Sequence, residues 1–168
     1  GSLTQKGAEM TIDYSGSFSQ KSFLHHFFIR SSITLNHFRY KSFSKDTLDL
    51  SGNKIPGVPA ATIAVIADLE TKKGFYIHST YYSSSKIFLN DANTAAATSY
   101  HLLAVRFGYK KTFEKKHKFN FYFGVDNLLN ETYSLGNDIN AAGGRYFNAA
   151  PLRNFYAGAA FQLLSKKK

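Results

Sequence analysis

The side chains with metal-binding or nucleophilic chemistry are dispersed along this sequence rather than grouped in motifs. The sequence has six histidines, which lie in different predicted strands and turns: His25, His26, His37, His78, His101 and His117. None stands in a His-Glu-x-x-His arrangement. His25 and His26 are adjacent, but neighbouring residues of a strand point to opposite faces, so a shared metal ion is disfavoured. The sequence has no cysteine, which removes thiolate ligands, disulfides and cysteine nucleophiles together.

Serine and carboxylate catalysis also lack their usual signatures here. No Gly-x-Ser-x-Gly elbow occurs among the many serines. Glu131 and Asp138 share one predicted loop, but no pair of carboxylates has a spacing typical of acid–base catalysis. We therefore predict that the protein is not an enzyme and that it uses no metal ion or cofactor.

Apolar and polar residues alternate with a period of two through most of the sequence, which is the pattern of a β-strand with one oily face. In residues 118–126, Phe119, Phe121 and Phe123 share one face, and the residues between them are polar or small. Residues 101–113 repeat the pattern and place Arg106 on the polar face. Further alternation indicates strands at residues 9–14, 29–36, 62–69, 75–88 and 154–163. We therefore expect an all-β protein with about seven strands.

The connections between these strands alternate in length. Short basic turns are predicted near residues 19–22, 70–74 and 113–117, and long polar segments at residues 42–58, 90–98 and 129–150. Outer-membrane barrels have short periplasmic turns and long extracellular loops. The pattern predicts an antiparallel up-and-down transmembrane β-barrel whose last strand ends in the periplasm. Because such barrels close with an even number of strands, we expect a partial barrel, with at least one partner strand before the first.

A soluble β-sandwich also alternates, because each of its sheets buries one face. Three features favour lipid instead. The predicted strands have about 10 to 16 residues, whereas strands of globular proteins have about 5 or 6 and a tilted strand crosses a bilayer with about 9 to 11. Small polar residues occupy the inner face, which suits a wet lumen. Aromatic residues near predicted strand ends suit interfacial girdles; they are Tyr40, Phe43, Tyr81, Tyr82, Tyr100 and Tyr109.

The net charge of +10 raises nucleic acid as a partner. The lysines stand mainly in predicted turns and in the tail, as in Lys72, Lys73, Lys110, Lys111 and residues 166–168. No recognition helix or aromatic platform accompanies them. We therefore predict that the protein does not bind nucleic acid.

Several blocks of the sequence resemble the carboxy-terminal strands of TonB-dependent outer-membrane receptors. The most specific is Gly124-Val-Asp-Asn-Leu-Leu-Asn-Glu-Thr-Tyr133, which is similar to the family's Val-x-Asn-Leu-hydrophobic-Asn-x-x-Tyr block. Gly144-Arg-Tyr-Phe147 and Pro151-Leu-Arg-Asn-Phe-Tyr156 resemble its closing patterns. One departure is the segment after Phe161, because the family usually ends at an aromatic residue.

The resemblance implies that residues 1–168 are the carboxy-terminal segment of a receptor barrel whose plug domain is absent from this chain. It implies a location in the bacterial outer membrane, with outer-membrane lipid, the TonB energy-coupling complex and a nutrient as partners. The nutrient would be scarce, such as a ferric siderophore, haem, cobalamin or a glycan. Two alternatives remain open: a soluble carbohydrate-binding or structural β-sandwich, and a small non-transporting outer-membrane barrel.

The polar residues of the long loops are the candidates for ligand contact. They are Asp91, Asn93, Thr94, Asn137, Asp138, Arg145, Tyr146 and Asn148. Other loop residues have a structural reading. Asn127 and Asn130 suit bonds to turn backbone, and residues 143–144, both glycine, suit positive φ. Arg153 is expected to pair with an acidic strand residue such as Asp126.

Overall fold

The computed structural model describes residues 1–113 and 117–163 of the chain. One antiparallel sheet dominates, and its strands are β1 (Ser2–Ser17), β2 (Leu24–Ser42), β3 (Ala61–Thr71), β4 (Phe75–Ser84), β5 (Tyr100–Phe113), β6 (His117–Asp126) and β7 (Asn154–Leu163). The seven strands lie side by side in chain order, each paired with its neighbours in sequence. The predicted up-and-down arrangement and the predicted strand number are therefore confirmed. No helix of the described ranges is long and apolar enough to cross a membrane.

The fourth strand is shorter than the sequence pattern predicted. It ends at Ser84 instead of continuing to Phe88. The next residue, Ser85, closes the pairing with two hydrogen bonds to the backbone of Ala61, one through its Oγ atom and one through its N–H group (both 3.0 Å). Phe88 instead pairs with Ala96 in a small hairpin of the following loop. The alternation that continues past Ser84 therefore belongs to the loop.

The strand registers bring the predicted oily faces onto one side of the sheet. Phe107 stands opposite both Ile77 and Phe123, and Val125 stands opposite Phe155. These side chains are open to the surroundings: Phe107 is 49%, Phe123 50% and Phe155 64% exposed. The buried apolar residues of the described ranges are Leu50, Ile87, Leu89 and Ala97, all in loops. The sandwich alternative is wrong, because no second sheet covers these phenylalanines within the described ranges.

The opposite face of the sheet carries charged and hydrogen-bonding side chains. Asp13 on β1 accepts two hydrogen bonds from the guanidinium of Arg30 on β2, at 2.7 and 2.6 Å. Asp68 on β3 pairs with His78 on β4 at 2.6 Å. Arg106 lies on this face, with its guanidinium carbon 5.6 Å from the centre of the Tyr122 ring. The predicted orientation of Arg106, away from the oily side, is confirmed.

Three glycines of the polar face lie beneath tyrosines of neighbouring strands. The pairs are Tyr76 over Gly108, Tyr156 over Gly124 and Tyr122 over Gly158. A Cβ atom added to Gly124 would lie 2.2 Å from Cζ of Tyr156. The missing side chains thus leave room for rings that cover the strand backbone, a known way to stabilise glycines in sheets.

The turn between β3 and β4 depends on Gly74, and we expect Gly74→Ala to destabilise the sheet. Gly74 has a φ of +94°, and an added Cβ would lie 2.1 Å from the carbonyl oxygen of Lys110. Strain of this kind costs about 2 kcal/mol. Urea unfolding in detergent micelles measures the loss. The control is Gly136→Ala, because a Cβ at Gly136 meets nothing within 4 Å and its φ is not positive. Equal stability of the two variants would contradict the role of Gly74.

Candidate functional site

Three long loops meet at the end of the sheet opposite the short turns. Loop L1 comprises residues 43–60, loop L2 residues 85–99 and loop L3 residues 127–153. They contain small hairpins, formed by Ser44–Lys45 with Leu48–Asp49, Ile87–Phe88 with Ala96–Ala97, and Ser134–Asn137 with Phe147–Ala149, and a short 3-10 turn at Ala142–Gly144. The predicted alternation of short turns and long loops is confirmed.

Asp91 of loop L2 joins all three loops. Its carboxylate accepts a hydrogen bond from the Tyr40 hydroxyl (2.7 Å), and Nζ of Lys45 lies 3.7 Å away. Its N–H donates to Oδ1 of Asn140 in loop L3 (3.0 Å), and its carbonyl accepts from Asn53 in loop L1 (2.9 Å). Burial disfavours the charged form of Asp91, but hydrogen bonds from Tyr40 and Asn140 and the Lys45 ammonium outweigh it and hold the pKa of Asp91 below its usual value.

Asn93 and Thr94, which the sequence suggested as ligand contacts, also make bonds within the loops. Asn93 clamps the backbone of Lys54, accepting from its N–H and donating to its carbonyl oxygen, both at 2.8 Å. Asn90 holds Thr94 in the same way, through the Thr94 N–H (2.9 Å) and hydroxyl (2.7 Å). Asp91 and Asn93 therefore tie loop L2 to its neighbours, whereas Thr94 is held within loop L2.

A small apolar cluster fixes loops L2 and L3 against each other. Ile87, Leu89 and Ala97 form its buried centre, and Tyr146 packs against it. The Asn140 N–H of loop L3 donates to the Leu89 carbonyl oxygen at 2.8 Å. Tyr146, another predicted ligand contact, therefore packs its ring on this cluster.

An open cavity of about 370 Å³ lies between loops L2 and L3. Its walls include the aromatic rings of Tyr100, Tyr133 and Phe147 and the amides of Asn137 and Asn148. The rings of Tyr100 and Tyr133 stack with their centres 5.3 Å apart. The Oδ1 atom of Asn137 is buried without a hydrogen-bond partner in the described structure. Two of the predicted site residues, Asn137 and Asn148, thus come together in a partly aromatic cavity.

The other predicted site residues of loop L3, Asp138 and Arg145, are exposed and do not line this cavity. The Asp138 N–H donates to the carbonyl oxygen of Tyr146 at 3.0 Å. The structure therefore brings the eight predicted residues into one loop assembly but groups only some of them around one space.

The aromatic walls of the cavity were not predicted from the sequence. Tyr100 was expected in an interfacial girdle, but it lies on the same face of β5 as Arg106, three alternations before it, and its ring stacks on Tyr133 of loop L3. Tyr40 was also expected in the girdle, and its hydroxyl binds Asp91 instead. Counting the period of two back from Arg106 gives the face of Tyr100, so the signal was present in the sequence.

The predicted roles of the turn residues at β6 and β7 are largely confirmed. Asn127 binds the backbone of Glu131 through both atoms of its amide, at 2.8 and 2.9 Å. Asn130 accepts from the Arg153 N–H at 3.1 Å. The expected pair of Arg153 with Asp126 is wrong. Asn154 occupies the register position opposite Asp126, and Nε of Arg153 donates to the carbonyl oxygen of Leu128 at 2.9 Å.

Comparison with known proteins gives the context of this assembly. Residues 1–128 match the family model described as TonB dependent receptor-like, beta-barrel. Among solved structures, the siderophore receptor PiuA from Acinetobacter baumannii is similar with a TM-score of 0.69 at 15% identity, over 95% of this chain and 22% of that one. The ferric citrate transporter FecA has a TM-score of 0.65 at 17% identity, over 81% of this chain and 21% of that one.

A third similar structure is BauA, the ferric preacinetobactin receptor from Acinetobacter baumannii. Its TM-score is 0.62 at 17% identity, over 95% of this chain and 27% of that one. The chain therefore spans between 21% and 27% of the length of these three structures.

Proposed function

The chain belongs to the TonB-dependent receptor-like β-barrel family, and from this premise we propose that it forms the carboxy-terminal segment of an outer-membrane receptor for a scarce nutrient. Proteins of this family are receptors and transporters, and the chain is not an enzyme. The three similar structures are named for a siderophore, ferric citrate and ferric preacinetobactin. We infer that the nutrient here is a ferric complex of an organic chelator, with haem and cobalamin as further candidates.

The observation that carries the proposal is the two-sided sheet with joined loops at one end. One face exposes phenylalanines such as Phe107, Phe123 and Phe155, which suits contact with hydrocarbon. The other face carries ion pairs and tyrosines, which suits a lumen filled by water or by a plug. Because outer-membrane barrels have long loops outside and short turns inside, loops L1 to L3 are extracellular in this proposal and the short turns are periplasmic. Energy would come from the TonB complex through a plug domain outside this chain.

Within the loops, we propose that the cavity between L2 and L3 contacts the nutrient. Tyr100, Tyr133 and Phe147 offer ring surfaces, and Asn137 offers its amide group. Asn148 offers its amide oxygen, because its Nδ2 atom already donates to the Gly136 carbonyl at 3.2 Å. A buried acceptor without a partner costs about 1–3 kcal/mol, and rotation of the Asn137 amide that turns Oδ1 toward a ligand hydroxyl or N–H group in the cavity removes that cost. Arg145 and Asp138 add charges on the exposed part of loop L3. Asp91, Asn93, Thr94 and Tyr146 act on the ligand indirectly, by holding the loops.

We expect Asn137→Ala to weaken nutrient binding about tenfold, the effect of losing one hydrogen bond worth about 1.4 kcal/mol. The measurement is quenching of intrinsic tyrosine fluorescence, since the chain has 11 tyrosines and no tryptophan. Ferric hydroxamate, ferric catecholate, ferric citrate, haem and cobalamin would each be titrated into detergent-solubilised protein. Asn154→Ala is the matched control, because Asn154 lies at the start of β7 and does not line the cavity.

Two outcomes would count against the receptor proposal, and a third against the cavity as its binding site. Protein that stays soluble in buffer without detergent is incompatible with a membrane barrel. Protein that needs detergent but binds none of the five compounds fits the non-transporting barrel instead. Equal affinities of Asn137→Ala and Asn154→Ala for the nutrient would show that it binds outside the cavity.

A further inference from the structure

An apolar groove runs along the oily face next to the short turns. It has a volume of about 380 Å³, and its walls include Phe23, Leu69, Phe75, Ile77 and Phe107. Phe23, from the turn between β1 and β2, is 54% exposed, and Phe107 is 49% exposed. The groove is almost entirely apolar and opens on the side that we assign to hydrocarbon. Its walls therefore suit an acyl chain.

A basic cleft adjoins this groove at the rim of the sheet. It is lined by residues that include Lys73, Phe75, Tyr109 and Lys111. Phe75 lines both the groove and the cleft, so the two spaces are adjacent. Lys111 stands opposite Phe119 in the register, so its side chain is on the oily face of β5. A ligand that spans both spaces has an apolar end and an anionic end.

Two lysines that line this cleft have their ammonium groups above aromatic rings. Nζ of Lys73 lies 6.0 Å from the centre of the Phe23 ring, and Nζ of Lys111 lies 4.9 Å from that of Phe113. Within the described ranges, neither lysine forms an ion pair. An ammonium held above an aromatic ring at the end of an oily strand is well placed for the interfacial region of a bilayer.

The two other lysines that line the cleft, Lys72 and Lys110, already have partners. Lys72 donates to the carbonyl oxygens of Ser19 and Gln20, both at 2.5 Å, and Lys110 pairs with Glu70 at 2.5 Å. The charge left for a ligand therefore comes from Lys73 and Lys111.

We propose that this rim binds one phospholipid with an anionic headgroup, with its phosphate between Lys73 and Lys111 and an acyl chain in the groove. The inference rests on the proposed membrane orientation, in which the short turns face the periplasm. A zwitterionic headgroup is a weaker match, because its own ammonium or choline group is repelled by the two lysines. Each lysine near an anionic headgroup contributes about 1 kcal/mol.

Native mass spectrometry of the detergent-solubilised protein at its natural length tests the proposal. Phosphatidylglycerol and phosphatidylcholine of matched chain length would be added in turn, and inorganic phosphate would serve as a competitor. We expect phosphatidylglycerol to be retained about thirtyfold more than phosphatidylcholine, which corresponds to the contributions of the two lysines together. The double variant Lys73→Gln/Lys111→Gln should lose this preference, and Phe23→Ala should weaken retention of both lipids.

The matched control is the double variant Lys54→Gln/Lys86→Gln. These two lysines also lie over a ring, that of Phe88, at 5.7 and 4.7 Å, but at the opposite, long-loop end. We expect this variant to keep the preference for phosphatidylglycerol.

Three results would overturn the proposal: equal retention of the two lipids by the wild-type protein, an unchanged preference in Lys73→Gln/Lys111→Gln, or displacement of the lipid by inorganic phosphate alone. These results differ from a failure of the proposed function. Protein that does not require detergent contradicts the membrane placement itself, whereas detergent-bound protein without a headgroup preference contradicts only the lipid site.

Discussion

Replacing Phe123 with arginine is expected to lower the free energy of unfolding from lipid bilayers by about 2–4 kcal/mol, the cost of a cation on the lipid face at the middle of the membrane. Phe123 is 50% exposed and stacks on Phe155 with ring centres 6.1 Å apart. It lies in the middle of the oily face, between Phe107 on β5 and Ala157 on β7. Urea titration of the protein in phospholipid vesicles, followed by its heat-dependent gel mobility, measures the loss.

Two further arginine variants make this test specific for lipid. Ala160→Arg places the same charge on the polar face of β7, opposite Asn120, where we expect a loss below about 1 kcal/mol. Phe113→Arg places it on the oily side at the last residue of β5, where an arginine reaches water and costs about 0–1 kcal/mol. Equal losses at Phe123 and Ala160 would show that the phenylalanine face does not meet hydrocarbon.

The faces and order of the strands were predictable because they depend on short-range alternation. A period of two fixes which residues share a face, as for Phe119, Phe121 and Phe123, without knowledge of the partner strand. Three of the six neighbour pairs followed from short turns, since strands joined by a few residues pair with each other, and the other three followed from the up-and-down barrel pattern of alternating short turns and long loops. Sequence alone therefore sufficed for the sheet that positions the loops.

Strand lengths were less predictable because backbone pairing does not depend on side-chain pattern. The alternation indicated a strand at residues 9–14, but β1 runs from Ser2 to Ser17. The additional residues include Lys6 and Gly7, which break the pattern and still pair with His37 and Asn36 of β2. Because β2 is long, its backbone pairs with residues of β1 that lie outside the alternating segment. The side-chain pattern of β1 alone contains no information about the length of its partner.

The candidate site was predictable in its location but not in its geometry. Sequence indicated which loops are long and polar, and all eight predicted residues lie in them. The roles of these residues depend on contacts between loops that are far apart in sequence, such as Asn93 with Lys54 and Tyr100 with Tyr133. A single sequence contains no signal for such pairs. The prediction therefore did not distinguish the residues that hold the loops together from the residues that line the cavity.

Asp91→Ala is expected to loosen all three loops together, by about 3 kcal/mol of local opening free energy. The variant removes the hydrogen bonds of the carboxylate with Tyr40 and with Asn140 of loop L3, at about 1–3 kcal/mol each, and the weaker pair with the exposed Lys45 of loop L1. About 3 kcal/mol corresponds to a rise in the opened population of roughly 150-fold. Amide hydrogen exchange of loops L1 to L3 measures this population directly.

Asp49→Ala is the matched control, because Asp49 is an exposed carboxylate of the same assembly whose side chain accepts a hydrogen bond from the Ser51 N–H at 2.9 Å. Its removal should change hydrogen exchange only near residues 49–51.

The pH dependence of loop opening gives an independent readout. Because the pKa of Asp91 is lower in the folded loops than its ordinary value of 3.8, its contribution is present above that value and is lost as the pH falls through the lowered one. Wild-type loops should therefore open on acidification in this range, and Asp91→Ala should show a smaller change. If loop L1 kept its protection in Asp91→Ala while L2 alone opened, Asp91 would be a local contact of L2 and the three loops would not move as one unit.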